Sequence, residues 1–272
     1  ELLPILNSET LKIEFKETEY IPGLFNIFNE ILVNSKDQVT RLEGLSKKDK
    51  NINKVTEIKV EIKPDKGEIS IMNNGDGIDI AEHPKVKKKG KSIYIPQLIF
   101  GELLTSTNYD KDEKKVVGGK NGYGAKLTNI FSKSFKIETV DRIRKKKYSQ
   151  LFRGNMKVIS NPKISDYDGK PYTKVTWISD FDRFGIEKFS NDMINLMKRR
   201  VYDIAGITDK NVSVYLNKKK LSVKSFMDYS KMYLMDEPIV YEEIIDNGIP
   251  WRIGVTLSKT DKFEYISFKK KI

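Results

Sequence analysis

Two polar side chains one helical turn apart, Glu30 and Asn34, are of types that can do acid–base and metal chemistry. A carboxylate orients and deprotonates a water, and an amide oxygen is a hard donor for a cation such as Mg²⁺. Their i,i+4 spacing puts both on one helix face, at the edge of an apolar stripe. There they either rim a pocket or form a solvated border. A second group is Asn73-Asn74-Gly75-Asp76-Gly77-Ile78. An Asn amide carries a donor and an acceptor, which suits an adenine edge, and the glycines permit a tight turn and close ligand approach. The same residues also serve as an ordinary turn. The third group is Gly118-Gly119-Lys120-Asn121-Gly122-Tyr123-Gly124. Glycines ahead of a helix can wrap backbone N–H groups around an anion, or form a plain flexible loop. It is not a Walker A loop, because Gly124 is followed by Ala125-Lys126-Leu127. Nor is it a Rossmann fingerprint, which needs a strand before it and an acidic residue after it.

The elements that must hold these groups follow from periodicity. Leu24, Ile27, Phe28, Ile31 and Leu32, with Pro22 near the start, predict a helix over 20–39. Residues 41–55 are polar and Lys/Asn-rich and read as a loop. EIKVEIK (57–63) and EISIMNN (68–74) alternate as two strands around an Asp65-Lys66-Gly67 turn. HPKVKKKGK (83–91) reads as a basic loop containing His83, which is expected at the surface and not as a ligand. A short helix is expected over 95–104, and another beginning at 125–131. FKIETV, KYSQLF, TKVTWI and NVSVYL read as strands, with a helix near 187–203 and another over 226–234. Alternation resumes from about 238. Strands and helices without a regular βαβ rhythm argue for an α+β fold.

The chain has 272 residues, enough to bury a core without a disulfide or metal staple. It has no cysteine and a single histidine, which excludes disulfides, Cys-ligated zinc, a cysteine nucleophile and multi-His metal sites. No apolar run is long enough to span a bilayer and no leader pattern opens the chain, so a soluble intracellular protein, or a piece of one, is expected. The net charge of +12 suggests a polyanionic partner. The excess is carried by lysine far more than by arginine, which makes it partly compositional.

Taken together, Glu30/Asn34, the N-G-D-G turn and the G-x-x-G-x-G run resemble the three motifs of the GHKL (Bergerat-fold) ATPases. YIPGLFNIFNEILVNSKD, IYIPQLIFGELLTSTNYD, DEKKVVGGKNGYGAKLTNIFS and RRVYDIAG look like the ATPase domain of eukaryotic-type DNA topoisomerase II. The resemblance runs from about Tyr20 to Phe268.

It implies a two-layer α+β sandwich, a mixed and mostly antiparallel sheet with helices on one face. A GHKL ATPase domain would occupy residues 1–224, and the start of a transducer domain residues 225–272. It implies ATP and Mg²⁺ as ligands. Glu30 matches the general base, which must stay ionised beside the nucleotide, and Asn34 the Mg²⁺-coordinating amide. Asp37 and Arg41 match nearby nucleotide-site positions, and Gln38 falls where the topoisomerases usually have Asn. Asn74 matches the adenine-reading position. Ile78, Ile99 and Phe100 match apolar adenine-pocket walls, each equally readable as plain core. Ser106, Thr107 and Asn108 match ribose and phosphate contacts. Thr173 matches a threonine that bonds adenine through its hydroxyl and a water. Gly119 to Lys126 match the phosphate-binding lid, with Gly122, Gly124 and Ala125 in its backbone and Asn121, Tyr123 and Lys126 as side-chain contacts. Lys120 replaces the usual Arg, turning a forked contact into a point charge.

The resemblance further implies an ATP-hydrolysing N-gate module of a type II topoisomerase. Nucleotide binding would close the lid and pair two such modules as a homodimer, capturing DNA for strand passage. No membrane partner is expected, and residence would be nuclear in a eukaryotic cell. The transducer lysine that reaches the γ-phosphate lies beyond this chain, as do the DNA-cleaving tyrosine and its metal site. Nucleotide binding with slow hydrolysis is therefore expected of these residues alone. ELLPILNSET reads as a remnant or a divergent replacement of the family's N-terminal arm. The Lys-rich stretches near 43–55 and 84–92 read as inserts that either touch DNA or are solvated. Two other functions remain at this point: another GHKL machine of the mismatch-repair or chaperone type, and a basic nucleic-acid-binding module with a silent nucleotide site.

Overall fold

The computed structural model describes residues 1–88, 90–102, 123–233, 240–246, 249–257 and 265. The chain opens with a hairpin of β1 (Leu2–Leu6) and β2 (Ile13–Glu17), followed by the long helix α1 (Pro22–Ser46). Strands β3 (Glu57–Lys63) and β4 (Glu68–Asn74) come next. A second hairpin, β5 (Glu82–Lys88) and β6 (Lys91–Tyr94), leads into α2 (Ile95–Gly101). After α3 (Gly124–Ile130) come β7 (Ser132–Asp141), β8 (Lys146–Arg153), β9 (Val158–Ile159), β10 (Lys163–Asp166) and β11 (Tyr172–Ser179). Helix α4 (Asn191–Ile207), β12 (Ser213–Leu216), β13 (Lys219–Lys220) and α5 (Phe226–Tyr233) follow. A last hairpin pairs β14 (Val240–Asp246) with β15 (Ile249–Val255).

The principal sheet runs β10-β8-β7-β11-β4-β3-β12-β13, with β9 joined to β8. Its pairs are antiparallel except β3 with β12, which is parallel. Central strands alternate between buried and half-exposed side chains, the pattern of a sheet covered on one face. The covered face carries Ile58, Val60, Ile69, Ile71, Phe135 and Trp177 against the helices. The expected α+β sandwich is the observed architecture.

Three local expectations differ from the structure. Residues 41–46 are the last turns of α1 and not a loop. Leu42 extends the buried stripe, and the charged residues around it face water without interrupting the helix. The basic stretch at 83–91 is mostly β5 and β6, not a loop. Val86 and Ile93 bury one side of this hairpin, and the Val86 amide donates to His83 Nδ1 at 3.1 Å. Helix α4 starts later than expected, where the Ser190 side chain caps Met193 N–H. It runs on beyond Asp203, because that charged residue is buried and paired instead of solvated.

Candidate functional site

Helix α1 supplies one wall of a cavity of about 810 Å³. At 100° per residue, Glu30, Asn34, Asp37 and Arg41 fall within about 60° of arc, and all four line the cavity. The opposite stripe of α1, from Leu24 through Phe28 to Leu42, is buried in the core. Burial raises the proton affinity of Glu30 above the ordinary carboxylate, and the nearby negative charge of Asp37 adds to the effect. Gln38 Nε2 donates to the Asp76 carbonyl at 3.2 Å, and Arg41 Nη1 donates to Gln38 Oε1 at 3.3 Å. The first bond holds α1 to the turn after β4, and the second, within α1, steadies the Gln38 amide.

The floor is set by strand register. Thr173 of β11 lies opposite Asn73 of β4 on one side and Thr139 of β7 on the other. Asn73 and Thr173 line the cavity. Thr139 Oγ1 accepts from the Ile78 amide at 2.9 Å and lies 3.0 Å from Thr173 Oγ1. A hydroxyl row thus runs from the turn to the cavity floor. Gly77 presses so closely on the Val140 carbonyl and Thr139 that a Cβ would collide with both. A side chain there would push the turn off the sheet.

Asn74 is corrected by this geometry. Successive strand residues face opposite sides, so Asn73 shares the face of Ile69 and Ile71 while Asn74 points away from the cavity. The Asn74 amide is spent on β3: its Oδ1 accepts from the Thr56 and Glu57 amides at 2.8 Å each, and its Nδ2 donates to Thr56 Oγ1 at 2.7 Å. The alternation that identifies β4 as a strand also singles out Asn73 as the inward amide.

The remaining walls come from Ile78, from Ile99 and Phe100 of α2, and from Tyr123, Gly124 and Ala125 at the start of α3. A Cβ at Gly124 would collide with the Glu30 carboxylate, so the glycine is what lets α3 approach the α1 wall. Thr128 fastens the two helices by donating to the Ile27 carbonyl at 2.9 Å. Lys126 does not line the cavity. Its ammonium sits 6.0 Å from the Tyr123 ring centroid, and burial lowers its pKa against the opposing pull of Glu102. Ser106, Thr107, Asn108, Lys120, Asn121 and Gly122 lie outside the described residues.

Two features had no counterpart in the sequence reading, Thr139 and the rim residue Asp79. Burial raises the Asp79 pKa, while its ion pair with Arg144 works the other way. Burial also opposes ionisation of Asp141, yet amide bonds from Ile80, Arg144 and Ile143 and the Arg144 guanidinium outweigh it and hold that carboxylate below the ordinary range. The rim after the Gly77 turn is thereby pinned to β7.

Among the described residues no three acidic or histidine side chains cluster as a metal cage. Asn34, with the Glu30 and Asp37 carboxylates on the same helix face, still fits Mg²⁺. That ion takes one or two protein oxygens and completes its shell with phosphates and water.

No family model matches the chain. Among curated proteins, it is 44% identical over 265 residues to "DNA topoisomerase 2" of Acanthamoeba polyphaga mimivirus, covering 96% of this chain and 20% of that protein. It is 42% identical over 272 residues to human "DNA topoisomerase 2-alpha", covering 97% of this chain and 16% of that one. The chain thus spans a fifth or less of these relatives' length. The solved ATPase region of Saccharomyces cerevisiae topoisomerase II superposes with a TM-score of 0.83 at 42% identity, over 95% of this chain and 64% of that one. The ATPase and transducer domains of topoisomerase II from Balamuthia mandrillaris give 0.80 at 35%, over 96% and 63%. Among the described residues no helix is long and apolar enough to cross a membrane.

Proposed function

Because the chain belongs to the ATPase region of type II DNA topoisomerases, we propose that it is the module that binds and hydrolyses ATP to drive DNA strand passage in a longer enzyme. The observation that carries this is the placement of Glu30 and Asn34 side by side on the cavity wall formed by α1, facing a floor of Asn73 and Thr173.

In this reading adenine lies on the floor, with Asn73 and not Asn74 reading its edge. Thr173 adds a hydroxyl contact, and Ile78, Ile99 and Phe100 supply apolar walls. The phosphates point towards the start of α3. Glu30 takes a proton from the water that attacks the γ-phosphorus. The bond from that phosphorus to the bridging oxygen breaks, and ADP leaves with its electron pair. The raised proton affinity of Glu30 makes it a stronger base once it is ionised. Asn34 would hold Mg²⁺, which neutralises phosphate charge when bound. Positioning and electrostatics supply nearly all the acceleration in phosphoryl transfer. Ser106, Thr107, Asn108, Lys120, Asn121 and Gly122 keep the roles that the family resemblance implies. Two modules pair around a DNA segment in the full enzyme, in the nucleus of a eukaryotic host, and residues from about 225 begin the transducer domain.

Calorimetric titration with a non-hydrolysable ATP analogue, with and without Mg²⁺, tests the reading. Mg²⁺-dependent binding that weakens about tenfold or more in Asn34→Ala is expected. Absence of binding in a folded wild type, in this chain and in the longer protein, overturns it.

A further inference from the structure

A polar chain, buried at Asp203 and Tyr229 and half-buried at Asn29 and Arg200, joins the back of α1 to α5, and the chemistry described above uses none of it. Asn29 precedes Glu30 and lies about 100° around the helix from it, facing α4 instead of the cavity. Arg200 Nε donates to Asn29 Oδ1 at 2.7 Å. Arg200 Nη1 reaches Asp203 Oδ2 at 3.3 Å, and Arg199 Nη2 reaches the same oxygen at 2.9 Å. Asp203 is 0% exposed. Its other oxygen accepts from the Tyr229 hydroxyl at 2.7 Å, and that hydroxyl lies 2.7 Å from the Tyr233 hydroxyl.

The direction of this chain is fixed by its chemistry. Tyr229 has one proton and gives it to Asp203, so Tyr233 donates to Tyr229. Burial and the Asp203 charge hold the Tyr229 phenol far above its ordinary pKa, so it stays a donor at any physiological pH. A buried carboxylate is retained only where it is well paired. Here three donors on two helices converge on it, and one of them also grips the catalytic helix.

We infer that Arg200 is a positioning residue for Glu30, fixing the rotation of α1 through Asn29, with Asp203 of its own helix holding the guanidinium and Tyr229 of α5 holding Asp203. Rotation of α1 by even part of a residue step would swing the Glu30 carboxylate away from the attacking water and shift Asn34 with it, while the floor residues on β4 and β11 would still hold the adenine. The inference rests on the ATPase reading above. It adds that the catalytic wall is set from behind, by a helix outside the cavity.

The test uses the full-length enzyme that carries this chain. Asn29→Ala removes the acceptor without disturbing the buried charges. Arg200→Lys keeps a positive charge near Asp203 but cannot make both bonds, and Arg199 still pairs the carboxylate. Each is expected to lower kcat about tenfold, with any rise in KM for ATP smaller than the fall in kcat. The double variant is expected to be no worse than Arg200→Lys alone, because both changes break one interaction. Thermal denaturation checks that both variants stay folded, and analogue titration checks that the site still binds. Unchanged kcat in folded Asn29→Ala and Arg200→Lys overturns the inference, as do losses that simply multiply in the double variant. A wild type that neither binds nor turns over ATP overturns the ATPase reading instead, and is distinguished by that control.

Discussion

Thr173 stands directly opposite Asn73 across the β4–β11 pair, and both face the cavity. Their neighbours Asn74 and Tyr172 are paired with each other in the same register, and neither lines the cavity. One ladder position therefore separates an amide that faces the cavity, its Nδ2 also donating to the Asn74 carbonyl at 2.9 Å, from one spent wholly on β3.

Asn73→Ala is expected to weaken ATP-analogue binding by about tenfold or more, the loss of one buried hydrogen-bonding group. Asn74→Ala is expected to leave affinity within about twofold and to lower unfolding free energy by about 1–3 kcal/mol, because the Thr56 and Glu57 amides lose their acceptor. Titration and chemical denaturation of both variants check this. The reverse pattern would return the base-reading role to Asn74.

Gly124→Ala should act on catalysis more than on folding. The added methyl collides with the end of a flexible Glu30 side chain, which can swing aside. A fall in kcat of about a hundredfold with analogue binding retained is expected. Steady-state turnover beside calorimetry measures both, and a kcat near wild type would mean that the carboxylate works from a different rotamer.

The pH dependence of Glu30 has a definite sign. Its folded pKa is raised by burial and by Asp37, so between the ordinary and the raised value the folded state holds more protons than the unfolded. Stability contributed by this group therefore falls as pH rises through that window. Glu30→Gln removes the ionised, desolvated group. It should be at least as stable as wild type at neutral pH, with the difference vanishing below the ordinary carboxylate range. Turnover should drop about a hundredfold or more in the same variant, and the wild-type rate should begin to fall on acidification at a pH above that of an unperturbed glutamate. Denaturation and rate profiles from acid to neutral pH test both arms.

Much of this was legible in the chain of residues, because the signals are local. The apolar stripe from Leu24 to Leu32 fixed the identity of α1, and the i,i+4 step fixed the shared face of Glu30 and Asn34. The alternation in EISIMNN marked β4, and the same alternation pointed to Asn73, although the resemblance drew the assignment one residue too far. Other features were not legible. Thr139 reaches the site only through a register between strands far apart in sequence. The last turns of α1 run straight into the Lys/Asn-rich stretch 47–54, and the β5–β6 hairpin is itself rich in lysine, so composition hid their periodicity. Asp203 looked like a helix-ending polar residue, because nothing in its neighbourhood announces the partners that bury it.

Helix α1 is a beam with supports on both sides of its load, besides the Thr128 bond to the Ile27 carbonyl. Asn29 is gripped from behind by Arg200, and Gln38 is bound in front to the Asp76 carbonyl. The supports are nine residues apart, about 14 Å along the axis, and they bracket Glu30 and Asn34. A beam supported on both sides of its load neither rocks nor slides. Any adjustment that fits the cavity to successive states of a nucleotide must therefore come from the walls facing α1, with this helix as the fixed reference against which they move.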